Sequence, residues 1–334
     1  MRGGVTMGRR RFLTLTTGLL LLAPARKAAA QATGKIHRIG FLGNSTAALE
    51  ANLVGPFREG LRARGYVEGR DLIVEYRWAE GQYERFPALV RELIALKVDV
   101  IVTAGTPAAL AVKRATTRIP VVMLAVGDPV ESGLVASLGH PGGNLTGLVA
   151  IAPDLEGKRL ELLKEIVPRL SAVAFLTNPA NRLHVTSEKQ VREAARALHL
   201  RVEFFPMRTE AEFDRAFQAI AAWRPGALVM LADRVFLHNR ARIVEFTERS
   251  RLPAVYAYSE LVEAGGLMSF GPSYPGMHRR AAYYVDRILK GTRPADLPME
   301  QPSKFEMIVN LKAARSLGLT IPETVLLRAD QVLE

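Results

Sequence analysis

Polar clusters stand just past short apolar runs at six places in this chain: Asn44-Ser45, Thr103 to Thr106, Asp128-Pro129, Asn178-Pro179-Ala180-Asn181, Asp233-Arg234 and Tyr258-Ser259-Glu260. Asn, Asp, Ser and Pro are ordinary turn and capping residues, so each cluster alone has a purely local explanation. Placed together on two facing edges, they have the chemistry to hold a small polar solute. Thr106 and Pro107 open a helix, Thr as cap and Pro in the first turn, whose free N–H groups and positive dipole end suit a carboxylate. Asp128 or Asp233 could hold an ammonium through a charge-assisted hydrogen bond. The ring of Tyr258 could stack on a flat apolar part of a ligand, or equally be packed in the core. The candidate ligand-binding set is Asn44, Ser45, Thr106, Pro107, Asp128, Asn178, Asn181, Asp233 and Tyr258.

Catalytic patterns are lacking. There is no Gly-x-Ser-x-Gly elbow, no phosphate loop and no His-Glu-x-x-His. His37, His140, His184, His199, His238 and His278 are scattered without metal-ligand spacing and read as surface or packing residues. Gly40-x-x-Gly43 lacks the full dinucleotide fingerprint, and the glycine-rich stretch Gly139 to Gly147 reads as a tight connection. No enzyme activity, metal or cofactor is expected.

The elements that must position these clusters alternate regularly. Strands are expected at Arg38–Leu42, Leu72–Tyr76, Val98–Val102 and Pro120–Val126, with helices through Leu53, Phe57 and Leu61, over Phe86–Leu96, and from Thr106. The second half repeats the scheme, with strands at Ala172–Leu176, Arg201–Phe205, Ala227–Leu231 and Ala254–Tyr258. Its helices are expected near Val185–Leu198, Glu210–Trp223 and Val235–Ser250. Near-continuous apolar strands alternating with helices predict an α/β fold of two doubly wound parallel-sheet lobes. Ligands of such sheets bind outside the carboxyl ends of the strands, so two lobes facing each other there make a cleft.

With 334 residues, 49% of them hydrophobic and 23% charged, the chain has the composition of a globular protein large enough for two domains. Its net charge of +12 first suggests an anionic partner. Six basic residues (Arg2, Arg9, Arg10, Arg11, Arg26 and Lys27) and no acid fall in the first thirty positions, however. Without them 39 basic residues face 33 acidic ones, interspersed, and no nucleic-acid partner is expected. Arg9-Arg10-Arg11-Phe12-Leu13 begins a weakly apolar run to Ala23, broken by Pro24 and followed by small residues. Too short to cross a bilayer, residues 1–32 read as a twin-arginine-type export signal cleaved after Ala30 or Ala32. With no cysteine there is neither a disulfide nor a lipid-anchored N-terminus, so the mature chain is expected free in the periplasm.

Four longer stretches carry a family resemblance: Asp128 to Gly147 (DPVESGLVASLGHPGGNLTG), Lys158 to Leu163 (KRLELL), Glu263 to Gly271 (EAGGLMSFG), and Asn310 to Pro322 (NLKAARSLGLTIP) with Arg328-Ala-Asp330. Over about residues 36 to 332 the chain resembles the tryptophan-binding-like branch of the ABC transporter substrate-binding proteins, of type 1 periplasmic-binding fold. The resemblance implies two lobes joined by three crossings: residues 35–150 with 271–300, and 151–270 with 301–334. It also implies that Tyr274 to Leu289 is a helix returning to the first lobe, and that Gly265-Gly266 and Gly271 stand where the chain changes lobes. It further implies capture of a small organic solute, for instance an aromatic or other amino acid or carboxylate, for a permease of the inner membrane, by a monomer. Tyr258 stands where the family often has tryptophan, which puts tryptophan itself in doubt as the ligand. Two other readings fit the same sequence: a ligand sensor for a membrane receptor, and a periplasmic enzyme with a flavodoxin-like lobe.

Overall fold

The computed structural model describes Met1 and residues 35–150, 155–302 and 304–334. The expected export signal, residues 1–32, lies outside the described residues apart from Met1.

The first sheet has the order β2-β1-β3-β4-β5 and is wholly parallel, built from β1 (His37–Gly43), β2 (Leu72–Trp78), β3 (Val100–Ala104), β4 (Val121–Val126) and β5 (Leu145–Val149). Side chains alternate between its faces, and both faces are buried. Ile39, Phe41, Val100, Val102, Val122 and Leu124 point into one core. Leu42, Ile101, Val121 and Met123 point into another, beneath α2 (Phe86–Ala95) and α3 (Thr106–Ala115). Burial on both sides is why these strands read as continuous apolar runs.

The second sheet has the order β12-β11-β10-β9-β8-β6-β7. Its interior strands include β6 (Ala172–Thr177), β8 (Ala227–Met230) and β9 (Ala254–Tyr256), and β7 (Arg201–Pro206) forms one edge. They alternate in the same way, with Ala174, Leu176, Leu228 and Met230 on one face and Val173, Phe175, Ala227 and Val229 on the other. The helices of this half are α4 (Leu155–Ile166), α5 (Arg182–Ala197), α6 (Phe213–Trp223), α7 (Arg234–His238), α8 (Arg240–Arg249) and α9 (Ser259–Glu263).

After β10 (Met268–Pro272) the chain enters α10 (Tyr274–Leu289), which packs on α1 (Ala51–Arg62) and against the first sheet. Gly60 permits the close approach: a Cβ there would stand 2.5 Å from the Arg279 carbonyl oxygen and 2.8 Å from the Ala282 Cβ. The chain then returns as β11 (Phe305–Asn310), followed by α11 (Leu311–Ser316), α12 (Glu323–Leu326) and β12 (Gln331–Leu333).

Several expectations need correction. The pair β10–β11 is antiparallel, because β11 re-enters the sheet from the opposite end after the excursion through α10. The glycine-rich connection ends in an edge strand, β5, where Leu145, Leu148 and Val149 are buried around Gly147. The single helix expected over Val235–Ser250 is two, broken at Asn239, whose side-chain amide donates to the Val235 carbonyl at 3.0 Å. Ala254–Tyr258 stops at Tyr256, since Tyr258 is the N-cap residue of α9. Gly265-Gly266 lies in the turn between α9 and β10, ahead of the crossing, whereas Gly271 falls at the end of β10, beside it.

Candidate functional site

The carboxyl ends of the two sheets face each other across a seam fastened by side-chain hydrogen bonds. Ser45, after β1, has its Oγ 2.6 Å from His238 Nδ1 at the end of α7. The Tyr83 hydroxyl donates to Asp233 Oδ1 at 2.8 Å, and Asn52 Nδ2 donates to Glu260 Oε1 at 2.8 Å. Burial keeps the Tyr83 hydroxyl protonated by raising its pKa well above the ordinary value, with the Asp233 charge adding to the effect.

Asp233 is the hub of the seam. Besides Tyr83, its Oδ1 accepts from Asn178 Nδ2 at 3.2 Å and from the Val235 amide at 2.9 Å, which caps α7; its Oδ2 accepts from Asn181 Nδ2 at 2.9 Å. The other oxygen of each asparagine closes a local turn: Asn178 Oδ1 accepts from the Ala180 amide and Asn181 Oδ1 from the Leu183 amide at the start of α5. Three polar residues separated in the sequence are thus brought together, but their polar atoms serve one another. Asp233 as a free partner for an ammonium is therefore revised: four protein donors already occupy its carboxylate.

Asn44 is similarly engaged. Its Nδ2 donates to the Ala104 carbonyl at 3.0 Å, and its amide, with that of Ser45, donates to Glu50 Oε1. Burial raises the Glu50 carboxyl above its ordinary pKa, opposed by the charge of Arg234. Thr106 does not cap α3. Gly105 takes that place at φ +84°, a conformation that favours glycine, and Thr106 Oγ1 instead accepts from the Gly127 amide at 2.9 Å. Tyr258 is buried, with its ring 4.6 Å from that of Tyr274, and the Arg234 guanidinium lies 5.3 Å from one ring and 5.1 Å from the other. A face of Tyr258 open to a ligand is therefore revised to a ring packed on Tyr274, with the Arg234 guanidinium in cation–π range of both.

Beside the seam a cavity of about 120 Å³ remains between the lobes. Thr106, Gly127 and Asp128 line it from the first lobe, Glu156, Arg159, His184 and Ser187 from the second, with Tyr274 at the start of α10. A further void of about 10 Å³, room for a single water, shares Thr106 and Leu183 with it and reaches Pro107, Asp233, Arg234 and Tyr258. Asp128 is half-buried, and its Oδ1 accepts from the amides of Val130 and Glu131 in a tight turn at the cavity rim.

His184 Nδ1 accepts from the Asn178 amide at 2.6 Å, which leaves the proton on Nε2, 3.0 Å from the Ala232 carbonyl. Burial lowers its pKa, so the imidazole is a neutral wall of the cavity. Glu156, Arg159, Tyr83 and His238 are absent from the candidate set. A signal for Arg159 exists: it falls four residues after Leu155 and three before Leu162, within the apolar stripe of α4, where a charge is out of place unless it has a buried task.

The chain matches the family described as "ABC transporter substrate binding protein" over residues 45–333. It is 24% identical over 264 residues to a tyrosine-binding protein of Clostridioides difficile, covering 79% of this chain and 75% of that one. A conserved domain protein of Vibrio cholerae superposes with a TM-score of 0.84 at 29% identity, covering 89% of this chain and 100% of that one. An ABC domain of Streptococcus pneumoniae crystallised with L-Trp superposes with a TM-score of 0.83 at 27% identity, covering 89% of this chain and 99% of that one. Two facing α/β lobes, a cleft at their strand ends and a match along most of the sequence lead to one assignment: the chain belongs to the ABC transporter substrate-binding protein family, with the type 1 periplasmic-binding fold.

Proposed function

We propose that this chain is the solute-capturing component of an ABC importer, acting as a monomer in the periplasm with a permease of the inner membrane. The observation that carries the proposal is the cavity of about 120 Å³ between the lobes, walled by the loops after β3 and β4 on one side and by α4 and α5 on the other. The relatives named for tyrosine and crystallised with L-Trp favour an amino acid or a similar small organic solute.

On this reading residues 35–150 with 271–300 move as one body and 151–270 with 301–334 as the other. A solute touching both lobes favours the closed form by the contacts it makes only there, and the bonds Tyr83–Asp233, Ser45–His238 and Asn52–Glu260 belong to that form. Thr106 and Asp128 face the solute. Asn44, Ser45, Asn178, Asn181 and Asp233 hold the walls that shape its site, Pro107 borders the inner void, and Tyr258 packs behind Arg234. The Arg9-Arg10-Arg11 leader directs export through the twin-arginine route.

A thermal-shift screen of residues 33–334 against amino acids, aromatic acids, purines and short peptides tests the reading. A solute at a hundred times its dissociation constant adds about 2.7 kcal/mol of stability, a readable shift. A saturable hit that is abolished by closing the cavity with Ser187→Trp supports capture in this cleft. A folded protein that answers to none of them counts against it.

A further inference from the structure

The edge strand β7 pairs with β6 alone among the described residues. The Arg201 amide donates to the Ser171 carbonyl at 2.9 Å and the Met207 amide to the Thr177 carbonyl at 2.8 Å. A parallel strand bonds a given neighbour through alternate residues. Arg201, Glu203 and Phe205 therefore direct their backbone groups at β6, while Val202 and Phe204 turn their N–H and C=O groups outward. Pro206, the next outward position, has no N–H. Outward backbone groups in a row are a template for another strand.

Space and charge lie along this edge. A hollow of about 460 Å³ opens beside the amino half of β7, between Arg192 and Arg196 of α5 and Trp223 of α6. The consecutive residues Arg201, Val202 and Glu203 all line it, so it follows the edge rather than one face of the sheet. Three guanidiniums there meet one carboxylate. Arg192 has Glu188 at 3.8 Å and lies 4.6 Å from the Phe204 ring, whereas Arg196 and Arg201 have no ion-pair partner among the described residues. Beyond Phe204 a second hollow, of about 220 Å³, continues between Pro179, Val185 and Pro206, and Val185 is 62% exposed.

Beyond solute capture, we propose that the β7 edge is a docking surface for an extended acidic segment of another protein, which adds to the second sheet as a further strand. Its backbone pairs with Val202 and Phe204, its carboxylates stand beside Arg192, Arg196 and Arg201, and an apolar residue fills the hollow at Val185. Two copies of this chain joined edge to edge would bring Arg192 and Arg196 against their own counterparts, so charge selects a different, acidic partner. The basic hollow lies at the amino end of β7, away from the cleft, which adjoins the carboxyl ends of the strands.

The test is fluorescence anisotropy of the mature protein with the labelled peptide Leu-Val-Glu-Val-Glu-Val-Glu, joined to amide exchange followed by NMR. Saturable binding is expected, about tenfold tighter than that of the peptide with Lys in place of Glu, and weakening as salt rises. Exchange at the Val202 and Phe204 amides should slow about tenfold or more when the peptide is saturating. Arg196→Glu should weaken the peptide about tenfold. Val202→Pro removes one outward N–H and leaves the β6 ladder, so it should weaken the peptide with melting little changed. Equal binding of the two peptides overturns the charge assignment. Binding without protection of Val202 and Phe204 overturns strand addition. No binding, or a dimer whose protected amides map to this edge, overturns the proposal outright. The unmodified protein decides the matter even where a variant does not fold, and none of these outcomes bears on capture in the cleft.

Discussion

Asp233 and Glu156 are both carboxylates buried between the lobes, yet they do opposite things. Asp233 accepts from a tyrosine, two asparagines and a helix amide, so the protein consumes all of its capacity. Glu156 commits one oxygen to Arg159 and leaves the other buried without a partner among the described residues. Burial and position are similar; the difference lies in the count of donors around each oxygen. A saturated group fastens the protein to itself, and a half-satisfied buried group leaves part of its desolvation cost standing. The seam and the cavity wall, though adjacent, should therefore answer differently to substitution.

The largest effect is expected at the seam. Asp233→Ala strands the Tyr83 hydroxyl, two asparagine amides and the N-terminus of α7, and should cost about 3 kcal/mol in denaturant unfolding. Should it lower solute affinity with stability untouched, the distinction between seam and wall fails. Acid should act next. Burial depresses His278 from 6.5 to about 3, so the folded protein keeps it neutral where the unfolded chain protonates it. The stability it contributes is complete above pH 6.5 and is lost as pH falls toward 3, about 2 kcal/mol of it by pH 5. His184 on the cavity wall and His238 on the seam are shifted downward by burial too and add to the loss; Glu50, shifted upward, works in the other sense. Melting temperatures that stay flat from pH 7.5 to pH 5 would contradict this. The smallest change belongs to the cavity rim. Asp128→Ala removes one side-chain turn and should cost about 1 kcal/mol or less, so its effect on solute titration should exceed its effect on melting.

Much of the scaffold was legible because buried parallel strands announce themselves. Val100, Ile101 and Val102, or Val121 to Val126, have no polar face to disguise them, and the helices between them carry clean apolar stripes such as Leu53, Phe57 and Leu61. The peripheral pieces were harder. In β5, Leu145-Thr146-Gly147-Leu148-Val149 follows a glycine-rich loop and reads as more of it. The gathering of polar residues past strand ends was legible in outline, since Ser45, Asn178, Asn181 and Asp233 do meet at the seam. Their roles were not, because nothing local to Asp233 tells that Tyr83, 150 residues earlier, donates to it. Glu156 and Arg159 were hidden among the charges of α4, where Lys158 and Glu161 are exposed neighbours and only the place of Arg159 in the apolar stripe gives it away.

The packing of α10 on α1 bears on how the chain reaches its fold. Tyr66 donates to Asp286, 220 residues further on, and Gly60 meets Arg279 and Ala282 across a similar span. A nascent chain that has emerged only as far as residue 273 holds every strand of the first sheet but lacks the helix that covers α1. Loop closures of this length make folding slow and leave apolar surface open meanwhile. Cutting the gene between the two sheets would accordingly divide a core rather than separate two folding units.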